Sequence, residues 1–375
     1  MPDSMVDWES YRREFPVTEN LVYFNNAGTG PLPLRTTRAM RQMAEEQLQF
    51  GGRDWDRWME SVDGMRSSAS RLIGAQPDQI AVTKNTSEAL SFLAQGLDWK
   101  PGDVIVAARD DFPADYLPWA RLEAGGVKLR WLETRDGQLD LNDIDAACDG
   151  ARLLAVSFVD YLTGFRLDLD AVGEIASRRG CLLSVDAVQG LGPFPIDVER
   201  SGVDLLSASG HKWLVAPEGA AVGFFSPRLM EQLEPPEFGW MNVAGYQDHS
   251  KVQELRPGAA RYECGTLNTI GCFGLRASIE LFLEIGVHHT AARVDGLAQR
   301  LATGVGAKGY RLAAKRDSET GSGIVSFGKE GVDVQKMTAQ LSREGISVAF
   351  RRGLLRAAPH FYNNNDEVDR LLSLL

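Results

Sequence analysis

The sequence predicts an α/β protein in which a large domain, built on a mostly parallel sheet wrapped by helices, precedes a smaller α+β domain. Two observations support this fold class. Up to about residue 226, short apolar runs typical of strands alternate with amphipathic helical stretches. From about Gly271 the order changes, and long helical patterns precede short strands. We place the large domain at 15–260 and the small domain at 261–375, with the segment 1–14 packed against the small domain.

The elements of the two domains follow in chain order. The strand-like runs of the large domain are 79–83, 103–108, 153–159, 181–187, 205–209 and 220–226, and helical patterns occupy 87–97, 115–126 and 168–180. The small domain begins with helical patterns at 273–286 and 288–305, continues with short strands at 310–314, 322–328 and 346–350, and ends with a helix at 365–375. With 375 residues, 44% of them hydrophobic, the chain can bury a large core.

Composition excludes several classes of partner. The net charge is −11, whereas a protein that binds duplex nucleic acid needs a basic face. No apolar run reaches membrane-spanning length, and the first residues are acidic where a signal peptide would be apolar. The four cysteines form no CxxC pair, so neither a zinc site nor a disulfide framework is indicated. We expect a cytoplasmic protein with neither nucleic acid nor a membrane as a partner, and no metal.

Polar side chains follow three of the predicted strands, at the edge of the sheet where α/β proteins bind ligands. Thr86 and Ser87 open a helix after the first strand, and they offer hydroxyls and free backbone N–H groups to an anion. Asp186 ends another strand and Gln189 lies three residues further on; Ser209, His211 and Lys212 follow the next strand. The three strand ends therefore supply an anion-binding turn, a carboxylate and a lysine.

Each of these elements has an ordinary structural interpretation when taken alone. Thr86 or Ser87 could simply cap the helix, Asp186 could pair with a core arginine, and Lys212 could be solvated. Together they match the needs of one cofactor, pyridoxal 5'-phosphate (PLP): a lysine that binds its aldehyde, an acid that faces its pyridinium nitrogen and a site for its phosphate. The combination favours a PLP enzyme.

Six motifs in the same order then carry a family resemblance over nearly the whole chain. The sequence resembles the class V aminotransferase and cysteine desulfurase family of fold-type I PLP enzymes, which implies a seven-stranded sheet in the large domain. The motifs are YFNNAGTGPLP (23–33), TKNTSEAL (83–90), SVDAVQ (184–189), SASGHKW (207–213), RYECGTLNTIG (261–271) and LLRAAPHFYNNNDEVDRL (354–371).

The resemblance implies a role for each matched residue. Lys212 would hold the cofactor and move the Cα proton of the substrate, while Asp186 would keep the ring nitrogen protonated and Gln189 would bond the phenolic oxygen. The implied phosphate ligands are Thr86, Ser87, Ser209 and His211, together with Thr266 from the partner subunit of a homodimer. The remaining implied contacts are Phe112 stacked on the cofactor ring, and Arg356, Asn26 and Ala27 at the amino-acid substrate, with Arg356 binding its α-carboxylate.

One departure from the family bears on the reaction. Cysteine desulfurases carry a nucleophilic cysteine on a loop after an Arg-x-Gly, but here only Leu354 and Leu355 separate Gly353 from Arg356. Cys264 is the only cysteine near a motif, and we expect it to be a packing residue. The favoured reaction is therefore a β-elimination of the C–S lyase type without a protein persulfide. Transamination with a keto-acid acceptor is the main alternative, and epimerisation and decarboxylation-linked deamination are further ones.

Other site residues and other classes of protein are less well supported. Tyr161 stands where desulfurases have an asparagine, so its role is open, as is that of His360; Trp119, Trp240 and Met241 are candidates for lining the substrate pocket. The GVGAKG run at 304–309 follows a helix and precedes a strand, the reverse of a dinucleotide-binding motif. No GxSxG elbow of a serine hydrolase occurs, and His288 and His289 are adjacent on a helix, where they cannot easily face one metal.

Overall fold

The computed structural model describes residues 6–248 and 254–375. The helices are α1 Trp8–Arg12, α2 Val17–Asn20, α3 Leu34–Phe50, α4 Trp55–Ile73, α5 Thr86–Gly96, α6 Leu117–Leu122, α7 Leu141–Ala147, α8 Leu169–Arg179, α9 Pro227–Met230, α10 Thr269–Ile285, α11 Val287–Ala307, α12 Val334–Arg343 and α13 Asn365–Ser373. The strands are β1 Val22–Tyr23, β2 Ile80–Thr83, β3 Val104–Ala108, β4 Lys128–Leu132, β5 Leu153–Ser157, β6 Leu182–Asp186, β7 Leu205–Ser209, β8 Ala221–Phe225, β9 Arg311–Leu312, β10 Val325–Gly328, β11 Ile346–Ser347, β12 Ala349–Arg351 and β13 Leu354–Ala357. Across these two ranges, no helix is long and apolar enough to cross a membrane.

The central sheet confirms the predicted fold class. Within the described ranges it has seven strands in the order β2-β8-β7-β6-β5-β3-β4, and only β8 runs antiparallel to its neighbours. The six apolar runs of the sequence are strands of this sheet. The seventh strand, β4, was not predicted because it lies at the edge and carries Lys128 and Arg130 among its apolar residues, which breaks the apolar run.

Helices cover both faces of this sheet and enclose two apolar cores. Val62 and Met65 of α4 pack with α8 and α10 in the first core, whereas Leu93 of α5 packs with α6 and α9 in the second. Helix α10 also contacts α3, where the hydroxyl groups of Thr36 and Ser278 are 2.6 Å apart. A sheet buried on both faces explains why its central strands read as continuous apolar runs.

A second, four-stranded antiparallel sheet has the order β12-β13-β10-β9. It packs with α11, α12 and α13 around a third core that includes Phe327 and Leu355. This confirms the α+β character predicted for the C-terminal part, although β13 was not predicted as a strand. The domain limits at 15–260 and 261–375 remain a prediction.

The N-terminal segment contacts the C-terminal end of the chain. Arg12 donates to the backbone carbonyl of Tyr362 at 2.8 Å and forms a bidentate ion pair with Glu367. Glu14, by contrast, pairs with Arg35 of α3. Residues 1–5 of the predicted 1–14 segment lie outside the described residues. Strand β1 pairs in parallel with β11, so the chain after α2 is bound to the same C-terminal part.

The topology brings three strand ends together. Strands β6 and β7 are parallel neighbours, and β2 and β7 both run antiparallel to β8 between them. The carboxyl ends of β2, β6 and β7 therefore lie at one edge of the sheet, which is where ligands bind in open α/β folds. Residues that follow these strands share one cavity there.

Candidate active site

A cavity of about 630 Å³ opens at this edge of the sheet, a volume suited to a small-molecule cofactor. Most of the residues that the sequence singled out line it. They are Ala27, Thr86, Ser87, Phe112, Asp186, Gln189, Ser209, His211, Lys212 and Arg356. Asn26 and Thr266 do not line it, and the lining also includes Tyr161, Arg351 and Arg352.

The first turn of α5 lines one part of the cavity. The helix cap is Asn85, whose side chain accepts from the backbone N–H of Glu88 at 2.9 Å, so Thr86 and Ser87 are not the cap residues. The hydroxyl of Ser209 accepts from the backbone N–H of Thr86 at 2.9 Å and lies 3.2 Å from the Thr86 hydroxyl. The Thr86 hydroxyl also accepts from the backbone N–H of Ser209 at 3.2 Å. Capping by Asn85 leaves the Ser87 hydroxyl free of the cap, at the positive end of the helix dipole that suits an anion.

Lys212 and Asp186 form the chemical centre of the cavity. Burial lowers the pKa of Lys212, and the carboxylate of Asp186 partly offsets that effect. Burial raises the pKa of Asp186 to about 6, although its Oδ1 atom accepts from the backbone N–H of Val188 at 2.7 Å. In the described part of the chain, Asp186 forms no ion pair with an arginine, so the salt-bridge interpretation of this residue fails.

Asp115 is a buried carboxyl group beside Asp186 that the sequence analysis missed. It ends a short 3₁₀ helix, Pro113–Asp115, and has 5% of its surface exposed. Burial raises its pKa well above the usual range, and the carboxylates of Asp186 and Asp111 raise it further. The raised pKa favours the protonated form of Asp115, and a protonated carboxyl group can donate a hydrogen bond to Asp186. The Oδ2 atom of Asp115 is buried and has no hydrogen-bond partner among the described residues.

Phe112 and Tyr161 form an aromatic wall. Their ring centroids are 5.5 Å apart in an edge-to-face arrangement, and the Nζ atom of Lys212 is 5.3 Å from the centroid of Phe112. Phe112 is 44% exposed, although it is a large apolar side chain. An exposed aromatic face beside the lysine suits a planar ring bound in the cavity.

The side chains of Gln189 and Asn26 are fixed by hydrogen bonds to other residues of the chain. The side chain of Gln189 donates to the carbonyl of Ala27 at 3.1 Å and accepts from the indole N–H of Trp213 at 2.8 Å. Asn26 is fully buried, where it donates to the carbonyl of Ala358 and accepts from the Tyr362 hydroxyl, both at 2.8 Å. Asn26 therefore positions Ala27 at the cavity wall rather than lining the wall itself.

Arg356 is a buried cation that lacks a carboxylate partner among the described residues. It is 3% exposed, and its Nη1 atom donates to the carbonyl of Tyr161 at 2.6 Å. Burial lowers its pKa to about 10, and the neighbouring Arg351 contributes to the shift. A buried guanidinium without a counter-ion is costly, so this position suits a bound carboxylate.

None of the four cysteines lines the cavity. Cys264 is half-buried and lines a separate cavity together with Thr266. Its thiol donates to Glu237 at 3.4 Å, and burial together with Glu237 raises its pKa. Strands β12 and β13 are joined by only Arg352 and Gly353, both with positive φ (46° and 83°), which is the two-residue turn of a tight hairpin. The cysteine-bearing loop of the desulfurases has no counterpart here.

Several other candidates lie away from the cavity. Thr266 is exposed and lines a separate cavity of about 160 Å³ together with Lys84 and Glu237. Trp119 and Met241 are core residues and Trp240 is 46% exposed, so the prediction that these three line the substrate pocket is wrong for this chain. His360 is buried against Trp213, and burial lowers its pKa to about 4. The residue type alone does not show whether an aromatic side chain or a histidine lies in the core, on the surface or in the cavity.

The residues of the cavity fit PLP. A lysine with a lowered pKa lies near a buried carboxylate, the N-terminus of α5 carries hydroxyls that suit a phosphate, and the ring of Phe112 lies 5.3 Å from the lysine Nζ atom. The buried charge of Asp186 lacks a full counter-ion within the described residues, and a protonated ring nitrogen would supply one.

Comparison with known proteins supports this interpretation. A "Probable cysteine desulfurase" of Methanothermobacter thermautotrophicus is 30% identical, over 97% of this chain and 96% of the relative. An "Uncharacterized aminotransferase YcbU" of Bacillus subtilis is 29% identical, over 96% of this chain and 95% of the relative. The solved apo structure of a cysteine desulfurase from Thermococcus onnurineus NA1 superposes with a TM-score of 0.90 at 29% identity, covering 98% of this chain and 96% of that one.

The family follows from a match over most of the chain. Residues 22–371 match the family described as Aminotransferase class-V, and this range includes every residue assigned to the cavity. The protein is accordingly a PLP-dependent enzyme. By its sequence, its fold and its cavity, the chain belongs to the class V aminotransferase family.

Proposed function

We propose that the protein is a C–S lyase that acts by β-elimination on an amino acid with sulfur at Cβ and does not form a protein persulfide. The observation that carries this proposal is the tight turn at Arg352 and Gly353, together with the absence of all four cysteines from the cavity lining of their own chain. Cys264, two residues before Thr266, is half-buried and its thiol donates to Glu237. A desulfurase needs a thiol that accepts the sulfur atom. Elimination does not, because the sulfur leaves on the departing group.

The chain's own residues supply the other requirements of this reaction. The bound cofactor acts as an electron sink, which makes the Cα proton of the substrate acidic. Lys212 removes this proton at Nζ, and its lowered pKa favours the neutral amine that a base needs. The Cβ–S bond breaks, its electron pair leaves with the sulfur as a thiolate that takes up a proton, and hydrolysis of the three-carbon remainder yields pyruvate and ammonia.

Specific contacts in the cavity support the roles of the remaining residues. We assign the phosphate to Thr86, Ser87, Ser209 and His211, the ring nitrogen to Asp186 and the ring face to Phe112. Gln189 lies at the cavity wall, where its side chain bonds to Trp213 and Ala27. To donate to the phenolic oxygen of the cofactor, its amide group must give up the bond to the Ala27 carbonyl. Arg356 binds the α-carboxylate, since it is a buried cation without a carboxylate partner in the described chain.

Transamination is the second candidate, and the resemblance to a relative named as an aminotransferase favours it. It needs the same lysine and the same arginine, with a keto acid as the second substrate. Epimerisation and decarboxylation-linked deamination use the same cavity and rank below it. Elimination, transamination and epimerisation break the Cα–H bond, and decarboxylation breaks the bond from Cα to the carboxylate. Because all four reactions break a bond at Cα, the site residues alone do not distinguish them.

Product analysis separates the candidates. The purified enzyme, loaded with PLP, is mixed with cysteine conjugates, and pyruvate and ammonia are measured with and without an added 2-keto acid. We expect equal amounts of pyruvate and ammonia without the keto acid; a strict requirement for it would establish transfer instead. Lys212→Ala should lose the visible absorbance of the bound cofactor, whereas the exposed-lysine control Lys308→Ala should keep it.

We further propose that the enzyme is a homodimer in a reducing, cytoplasmic setting. Thr266 is exposed and lies outside the cavity of its own chain, which suits a residue that reaches the phosphate of a partner subunit. Phe238 and Trp240, in the same region of the chain, are 65% and 46% exposed, and large apolar side chains of this kind are commonly covered by a subunit interface. The four cysteines are all free, as expected for a reducing compartment.

A further inference from the structure

The cavity contains a second arginine on the same face of the small sheet as Arg356. In the antiparallel pair of β12 and β13, Ala349 is opposite Arg356 and Arg351 is opposite Leu354. Side chains two residues apart on a strand point to the same face, so Arg351 and Arg356 share one face. Both residues line the cavity.

Arg351 has no acidic partner in the described parts of the chain. Its Nη1 atom donates only to the carbonyl of the adjacent Phe350, at 2.8 Å, and it forms no ion pair. Its neighbour Arg352 differs, because its Nη1 atom is 3.5 Å from a carboxylate oxygen of Asp110. Arg351 is close enough to the centre of the cavity to lower the pKa values of both Lys212 and Arg356.

The other charges of the site are already matched by the proposed function. The ring nitrogen of the cofactor is matched to Asp186, its phosphate to the turn at Thr86 and Ser209, and the α-carboxylate of the substrate to Arg356. Arg351, which is exposed to solvent, is the arginine that this assignment leaves without an anion. It lies on the same face as the buried Arg356, and an anion bound to each arginine reduces the repulsion between them.

We propose that Arg351 binds a second carboxylate, carried by the side chain of the substrate beyond Cβ. This inference rests on the proposed use of Arg356 for the α-carboxylate. For an elimination, the substrate class is a cysteine conjugate whose departing thiol bears a carboxylate. The planar guanidinium can accept such a group with two parallel hydrogen bonds, and a lysine would bind it less well.

Binding, rather than turnover, tests this assignment. The Lys212→Ala protein is titrated in a calorimeter with S-carboxymethylcysteine and with its amide S-carbamoylmethylcysteine, which has nearly the same shape but no side-chain charge. We expect the acid to bind about tenfold or more tightly than the amide. Adding Arg351→Gln should remove this preference and leave the affinity for the amide within about threefold. Adding Arg351→Lys should retain part of the preference.

The matched control is Arg343→Gln, which removes an exposed arginine on α12 and should leave the preference intact. Equal affinities for the acid and the amide in the parent protein would overturn the proposal. So would an Arg351→Gln variant that weakens both ligands equally, because Arg351 would then hold the α-carboxylate or the cofactor. A failure of the lyase proposal is distinguishable, since it would abolish pyruvate release without changing the binding preference.

Discussion

Three buried carboxyl groups, Asp111, Asp115 and Asp186, lie near one another beside the lysine of the cavity. Burial raises the pKa of all three, to about 7 for Asp111 and about 6 for Asp186, and their mutual repulsion adds to the effect for Asp111 and Asp115. Three like charges cannot all be ionised at such close range. The pKa of Asp115 is raised well above its usual range, which favours a protonated Asp115 beside an ionised Asp186. We propose that this proton leaves Asp186 the negative charge that a pyridinium nitrogen needs.

Substitution of Asp115 tests this arrangement. Asp115→Asn keeps a hydrogen-bond donor to Asp186 and should leave the cofactor dissociation constant within about threefold of the parent value. Asp115→Ala removes the donor, and a hydrogen bond to a charged group is worth roughly 1.5–3 kcal/mol, so it should weaken cofactor binding at least tenfold. The measurement is a titration of the cofactor-free protein with PLP, followed by absorbance.

The same variants give a second measure through pH. A hydrogen bond from protonated Asp115 would lower the pKa of Asp186, so the loss of the donor in Asp115→Ala should raise that pKa above about 6. Protonated Asp186 cannot pair with a protonated ring, and the pH below which cofactor affinity falls should therefore move upward. An Asp115→Asn protein as defective as Asp115→Ala would contradict the role assigned to this proton.

At the residue scale, the sequence predicted the positions that follow apolar strands. Lys212 and Asp186 stand out because a charged group directly after a buried strand has few ordinary explanations. Arg351 and Asp115 were missed because their role comes from neighbours distant in sequence, Arg356 and Asp186. Asn26 belongs to a motif, yet its side chain is turned away from the cavity by its bonds to Ala358 and Tyr362.

Among the elements, a buried ion pair ties the segment that carries Thr266 to the large sheet. Arg66 of α4 forms a bidentate pair with Glu263, whose Oε1 atom also accepts from the backbone N–H of Val82 in β2 at 2.8 Å. The side chains of Arg66 and Glu263 are 9% and 0% exposed. A buried ion pair stabilises the folded state little more than two apolar side chains of similar size would. Removing one partner is nevertheless destabilising, because the other charge stays buried.

Glu263→Gln should therefore lower the free energy of unfolding by about 3–5 kcal/mol, because buried Arg66 then keeps only the largely exposed Asp63, at 3.3 Å, as an ion-pair partner. Denaturant titration followed by circular dichroism measures this change. The matched comparison is Arg300→Gln, which breaks the ion pair of Arg300 on α11 with Asp369 on α13. Because these side chains are 47% and 48% exposed, the variant should lower the free energy of unfolding by less than about 1 kcal/mol. Similar losses in the two variants would show that the Glu263 contacts do not organise this segment.

The elements that the sequence did not predict are those with the weakest local pattern. Strand β4 alternates charged and apolar residues at a sheet edge, and β13 is a short run, Leu354–Ala357, within a motif that had been interpreted for its arginine. The hairpin turn before β13 places the non-glycine Arg352 at positive φ, which a turn propensity does not favour. In each case hydrogen bonds to a partner strand stabilise an extended conformation that the local sequence does not predict.

For the whole molecule, alternation of strands and helices was enough to predict the class and the sheet, because burial on both faces produces apolar runs of characteristic length. How the chain divides was harder to predict. Helix α10 follows the predicted boundary at 260, yet it packs against α3 and α4, so secondary-structure order is a poor guide to which helix joins which core. How subunits assemble is harder still to predict, because the sequence pattern of one chain does not show which surface contacts a second copy.

A hybrid dimer tests whether Thr266 completes the partner's site. Thr266→Val removes the hydroxyl and should weaken cofactor binding roughly tenfold, since a hydrogen bond to a charged phosphate is lost. If each site combines Lys212 of one subunit with Thr266 of the other, a Thr266→Val subunit paired with a Lys212→Ala subunit has one complete site. Differently tagged subunits, co-expressed and purified as the hybrid, should bind PLP at that site with parental affinity. A hybrid whose intact-lysine site keeps the weak affinity of Thr266→Val would place Thr266 at the phosphate of its own subunit, or at no phosphate.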